Sequence, residues 1–314
     1  MALHPEMRAM LDGVTAWREK HGASVDLQDE RRKIEGIRHD VWQPEMLPVA
    51  SVRDAQIVGP NTPLDIRIYR PEAENPVPTV IYFHGGGWSQ GDLNSHESHA
   101  RRICHRLGVV VIAVHYRLAP EDLFPAGYND CVATYNWVLK HIDTVGGDRN
   151  LVAVAGDSAG GNLAAAVALY ARDNKLPLKA AMYAYSAFDL SQDANYPSMH
   201  AYGTGFGLNI DPHTPEPYKW YLGEDFATLK NDPRVSPLLA DQTSVAPAVI
   251  VVGECDPLAD TSVAYSQKLT AAGVHNILRV EPGFIHSFMN MGASMAAMKI
   301  TTDMIDDLGA LLSA

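Results

Sequence analysis

The chain has 314 residues, 46% of them hydrophobic, enough to bury one large core with a smaller appendage. Its 37 acidic and 25 basic residues give a net charge of -12, which repels phosphate backbones and anionic membranes and argues against nucleic-acid or membrane partners. The three cysteines, Cys104, Cys131 and Cys255, form no CxxC pair and no zinc spacing, so neither a metal nor another cofactor is expected and a reducing, cytoplasmic setting is.

The opening MALHPEMRAM carries Glu6 and no sustained apolar run, so it does not read as a leader peptide. Residues 1–45 mix helix formers with many charges and predict one or two amphipathic helices. Strands are expected at 52–58 and 64–69, joined by the turn Gly59-Pro60-Asn61. An alternating pattern follows: strands at 79–83, 109–114, 151–155 and 180–185, with helices at 95–107, 126–141 and 158–172 between and after them. It resumes with a strand at 248–252, a helix at 261–272, a strand at 276–280 and a C-terminal helix. Continuous apolar strands separated by helices predict an α/β fold with a mostly parallel sheet covered on both faces.

Residues 187–236 break the rhythm. Eight of these 50 residues are aromatic, twice the chain average, and five are proline, Pro212 and Pro215 among them. Such side chains need an apolar place to sit, which favours a docked lid over an ordinary surface insertion.

The strongest chemical signal is Gly156-Asp157-Ser158-Ala159-Gly160, between the strand LVAVA and the helical run SAGGNLAAAVALY. This is the strand–turn–helix context of a nucleophile elbow, in which glycines two positions either side of the serine relieve crowding. The alternative is a glycine-rich turn with an incidental serine. His84-Gly85-Gly86-Gly87-Trp88 follows the strand TVIYF, and consecutive glycines let backbone amides converge on one developing oxyanion. No Gly-Lys-Ser/Thr follows, so a phosphate cradle is the weaker reading, with a plain glycine turn beside it. Asp256 and His286 each follow an apolar strand by a short link, in the chain order serine, acid, histidine. Glu254 and Asp260 stand close enough to Asp256 to compete for the acid's role. His96 and His99, three residues apart, are read as solvated positions on a helix face rather than metal ligands.

Four stretches together resemble the hormonesensitive-lipase-like carboxylesterases, bacterial family IV: HGGGW at 84–88, YRLAPE at 116–121 with FPA at 124–126, GDSAGGN at 156–162, and DPL at 256–258 with HSF at 286–288. The resemblance implies an α/β-hydrolase fold whose core spans 46–186 and 237–314, with a cap from 1–45 and 187–236. It implies a serine esterase acting on short- to medium-chain esters of small molecules. The triad would be Ser158, Asp256 and His286, and the oxyanion donors Gly85, Gly86, Gly87 and Ala159. Trp88, Asp157, Tyr185 and Phe206 are expected at the substrate, and a homodimer is a further expectation. Plant gibberellin receptors resemble the same family but replace the catalytic histidine, and here His286 stands in a matching context.

Overall fold

The computed structural model describes residues 2–191, 195–208, 210 and 216–314. Parts of the aromatic segment, with Pro212 and Pro215, therefore lie outside the described residues.

In chain order the elements are α1 (Pro5–His21), α2 (Leu27–Ile37), β1 (Ser51–Val58), β2 (Pro63–Arg70), β3 (Val77–Phe83), α3 (Glu97–Leu107), β4 (Val110–Val114) and α4 (Ala126–His141). Then come β5 (Gly147–Asp157), α5 (Ala159–Asp173), β6 (Ala180–Ala184), α6 (Pro197–Tyr202), α7 (Glu216–Leu222) and α8 (Phe226–Leu229). The chain closes with β7 (Ala248–Gly253), α9 (Ala259–Ala271), β8 (Asn276–Glu281) and α10 (Met295–Ser313).

One eight-stranded sheet runs in the order β1-β2-β4-β3-β5-β6-β7-β8. From β4 to β8 every neighbouring pair is parallel, while β1 pairs antiparallel with β2 and β2 with β4. The expected mostly parallel sheet is therefore present. Alternation along β3 shows why its run is apolar throughout. Val80 and Tyr82 enter a core shared with α3 and α10, whereas Ile81 and Phe83 enter the opposite core shared with α4 and α5.

The N-terminal segment is tied to the far end of the chain. The His4 amide donates to the Gly283 carbonyl at 3.0 Å. The Glu6 carboxylate accepts from Ser294 Oγ at 2.6 Å and from the Ala296 amide at 3.1 Å, at the N-terminus of α10, where negative charge is favoured. From α2, Arg31 reaches Glu121 at 2.8 Å and the Ser89 carbonyl at 2.8 Å. Among the described residues no helix is long and apolar enough to cross a membrane.

Candidate active site

Strand β5 ends at Asp157 and α5 begins at Ala159, so Ser158 alone makes the turn. Its φ of 52° and ψ of -121° lie in strained territory for a residue with a side chain, a cost of about 1–3 kcal/mol that surrounding packing must hold. The flanking glycines make that turn possible. A Cβ on Gly160 would stand 2.0 Å from the Phe83 carbonyl oxygen, and one on Gly156 would meet the Gly160 backbone at 2.4 Å. The turn is closed by the Ser158 amide donating to the Ala184 carbonyl at 2.8 Å.

Asp256 follows β7 and His286 follows β8, so both arrive from strand ends beside the elbow. Ser158 Oγ lies 2.9 Å from His286 Nε2, and His286 Nδ1 lies 2.8 Å from Asp256 Oδ2. The carboxylate is acceptor-only, so Nδ1 carries the ring proton and Nε2 faces the serine hydroxyl as an acceptor. Asp256 is fully buried, and its other oxygen accepts the Leu258 amide at 2.8 Å. The competing carboxylates are engaged elsewhere: Glu254 accepts from the Gly283 amide and Asp260 from the Ser198 amide.

The glycine loop turns through Gly86 and Gly87 at φ 116° and 59°. The Gly86 carbonyl takes the amides of Ser89 and Gln90, while the amides of Gly86 and Gly87 have no partner among the described residues. Gly86, Gly87, Ser158, Ala159 and His286 line one cavity of about 720 Å³. Ala159 supplies the first amide of α5, one of the helix-end donors left without an intrahelical acceptor.

Several sequence expectations need correction. Gly85 does not offer its amide to the cavity, because it donates to Asp157 Oδ1 at 2.9 Å. Tyr185 is fully buried and does not line the cavity; its ring packs edge-on against His286 at 4.8 Å and its hydroxyl points to Asp157. Phe206 packs against Tyr202 and is also absent from the lining. Trp88 and Asp157 do line it, but Asp157 is 2% exposed and faces inward to partners of its own.

His96 and His99 are not solvated. They are 6% and 2% exposed, and His96 caps α3 rather than lying within it. Together with Asp157 they form a compact trio, with His96 Nε2 3.6 Å from the carboxylate and ligand-type atoms all within 4.8 Å of one another. Metal binding would compete with existing bonds, since Asp157 Oδ1 already accepts from Tyr82 Oη at 2.6 Å and from Gly85. Burial alone would raise the Asp157 carboxyl, but the neighbouring histidines and the Tyr82 hydroxyl outweigh it and hold the group well below the usual carboxylate range. Burial also pushes His84 and His99 down to about 3, so both are neutral. Sequence spacing had no means of finding this trio, because it depends on Tyr82 and Asp157 converging from adjacent strands. Cys255, next to Asp256, is fully buried, and burial raises its thiol above the ordinary range.

A family model described as alpha/beta hydrolase fold matches residues 80–290. The chain is similar to an ethyl acetate hydrolase of Pseudomonas putida, 34% identical over 312 residues covering 93% of this chain and 94% of that one. It is similar to an arylesterase of Saccharolobus solfataricus, 33% identical over 315 residues covering 99% and 98%. A solved esterase from the archaeon Pyrobaculum calidifontis superposes with a TM-score of 0.91 at 29% identity, covering 100% of both chains.

Proposed function

Since the chain belongs to the alpha/beta-hydrolase family of hormone-sensitive-lipase-like carboxylesterases, we propose that it hydrolyses short- to medium-chain esters through Ser158, His286 and Asp256. The observation that carries this reading is the unbroken relay from Ser158 Oγ through His286 to the buried Asp256 carboxylate, at 2.9 Å and 2.8 Å.

His286 Nε2 takes the hydroxyl proton as Ser158 Oγ attacks the ester carbonyl. Asp256 fixes the imidazole tautomer and stabilises the imidazolium that forms. The amides of Gly86, Gly87 and Ala159 receive the developing oxyanion, where each preorganised donor counts for more than it would in water. His286 then protonates the leaving alcohol. Water repeats the cycle to free the acid from the acyl-enzyme.

Residues 1–45 and 187–236 act as a two-part cap over this site. Support comes from the lining itself, to which α1 contributes Leu11 and Thr15 and the second segment contributes Leu208 and Tyr218. Trp88 stacks on Tyr221 of α7 at 4.6 Å, so the glycine loop and the cap share a contact. The outer edge of β8, with Val280 39% exposed, suits pairing of two copies into a homodimer. Three free cysteines, all buried, fit a reducing compartment, and we read it as the cytoplasm.

The test is Ser158→Ala. Turnover of p-nitrophenyl butyrate should fall by something on the order of 10⁶ in kcat with the fold intact by circular dichroism. Retention of more than a few per cent of activity in a clean preparation rules the assignment out.

A further inference from the structure

The glycine turn is strained, and part of what holds it comes from outside it. Gly86, Gly87 and Trp88 follow one another at φ 116°, 59° and 56°, and for Trp88 that is a conformation a bulky side chain rarely adopts. Such backbone persists only where its surroundings over-determine it. Within the turn, the Gly86 carbonyl accepts the Ser89 and Gln90 amides at 3.1 Å and 2.9 Å. The carbonyls of Trp88 and Ser89 are held by other parts of the chain. That of Trp88 accepts the Ala119 amide at 2.8 Å, and that of Ser89 accepts Arg31 Nε at 2.8 Å.

Arg31 lies on α2, in the N-terminal segment, and it closes the set. Its Nη2 donates to the Ala119 carbonyl at 3.2 Å, so one guanidinium bridges Ser89 and the residue that anchors Trp88. Glu121 accepts from Nη1 at 2.8 Å and from Nη2 at 2.9 Å, and this two-point pairing fixes the plane of the group. Arg31 stands outside the lining of the substrate cavity and opens instead on a separate cleft of about 280 Å³ shared with His115 and Glu121. Its influence on an ester therefore passes through the turn. A displacement of about 1 Å in a catalytic donor can cost about 10²-fold in rate.

Resting on the hydrolytic reading above, we propose that Arg31 is a positioning residue for the oxyanion hole, holding through Ser89 and Ala119 the turn that aims the Gly86 and Gly87 amides. The N-terminal segment is then more than a wall of the cavity. Its docking through α2 sets how well the tetrahedral intermediate is stabilised, and so contributes to kcat as well as to substrate binding.

The test compares Arg31→Ala with the parent on p-nitrophenyl butyrate. With the parent's circular dichroism spectrum retained, kcat and kcat/KM should fall together by about 10- to 100-fold, the pattern of an interaction made in the transition state. An alkyl trifluoromethyl ketone gives a readout that cap packing alone would not move. Ser158 Oγ adds to its carbonyl carbon, the hydroxyl proton passes to His286 Nε2, and the carbonyl π pair becomes an oxyanion in the hole. Its inhibition constant should rise by about the factor lost in kcat/KM, whereas that of the matched methyl ketone, bound as the neutral ketone, stays within about twofold. If Arg31→Ala does not fold, Arg31→Lys carries the same comparison, because it keeps a cation against Glu121 but lacks the fork that serves two carbonyls at once. The proposal is overturned if the variant keeps the parent's kcat, with or without a higher KM, which would make Arg31 a tether of the cap alone. It is equally overturned if the trifluoromethyl ketone weakens no more than the methyl ketone. A parent that hydrolyses no ester removes the hydrolytic reading instead, a result distinguishable from an unaffected variant of an active parent.

Discussion

Asp157 Oδ1 accepts the backbone N–H of Gly85 at 2.9 Å, tying the residue before Ser158 to the residue that opens the glycine loop. The two halves of the site, elbow and loop, are thus set against each other by one buried carboxylate.

Removing that tie should loosen the loop without touching the relay. Asp157→Ala leaves the Gly85 amide and the Tyr82 hydroxyl without their acceptor. Loss of one oxyanion donor typically costs about 10²–10³ in kcat, and a misplaced loop should approach that figure. Asp157→Asn, which keeps an acceptor oxygen, should recover part of it. Steady-state kinetics on p-nitrophenyl butyrate decide the point: equal activity in Asp157→Ala and the parent shows that the loop holds itself.

The acid is assigned by comparing three carboxylates. Asp256→Asn should lower kcat on the order of 10⁴, because the amide no longer enforces the His286 tautomer. Asp260→Asn and Glu254→Gln should stay within about tenfold, since their partners are the Ser198 and Gly283 amides. A crippled Asp260→Asn beside a near-normal Asp256→Asn reverses the assignment.

Acid lability should trace to the buried histidines. His84 and His99 are held at about 3, whereas an unfolded histidine titrates near 6.5. The unfolded chain therefore binds more protons than the folded one between those values. Neither residue costs stability above about pH 6.5, and each removes up to about 1.4 kcal/mol per pH unit as pH falls toward 3. Asp157 acts in a lower window, because its depressed carboxyl differs from the unfolded value only below about pH 4. Urea unfolding at pH 7, 6 and 5 should show falling stability, with a shallower fall in His99→Gln. A flat profile would mean that these imidazoles take up protons while folded.

Acyl length should pass through an optimum. Each methylene buried against the cavity wall gains about 0.8 kcal/mol until the wall is met, after which overpacking costs about 1–3 kcal/mol. Across p-nitrophenyl esters from acetate to palmitate, kcat/KM should rise and then fall, with the maximum at short to medium chains. A maximum at palmitate, or activation at an oil–water interface, would show that the cap opens onto lipid.

Much of this architecture is written in local sequence. The inner strands β3, β4, β6 and β7 read directly because each is a short, largely apolar run, and Ser158 reads because Gly156 and Gly160 have a steric reason to flank it. What escaped local reading depends on residues that meet only after folding. His96 and His99 look like an exposed helical pair until Asp157, some 60 residues on, arrives between β3 and β6 to bury them. Tyr185 looks like a pocket residue until its ring is found behind His286. The Gly85 amide looks like its neighbours until its acceptor is known. The β1–β2 hairpin is legible from its turn, but the antiparallel pairing of β2 with β4 follows only from assembly of the sheet.

The clamp between His4 and Gly283 bears on how the protein is handled. Gly283 precedes His286 by three residues and leaves no room for a side chain, since a Cβ there would stand 2.6 Å from the His4 nitrogen. Changes to residues 2–4 would therefore act on the loop that delivers the histidine. The exposed Ala314 end is the safer place for a handle or a surface linker, and preparations differing only in their N-terminal extension should not be assumed to share one specific activity.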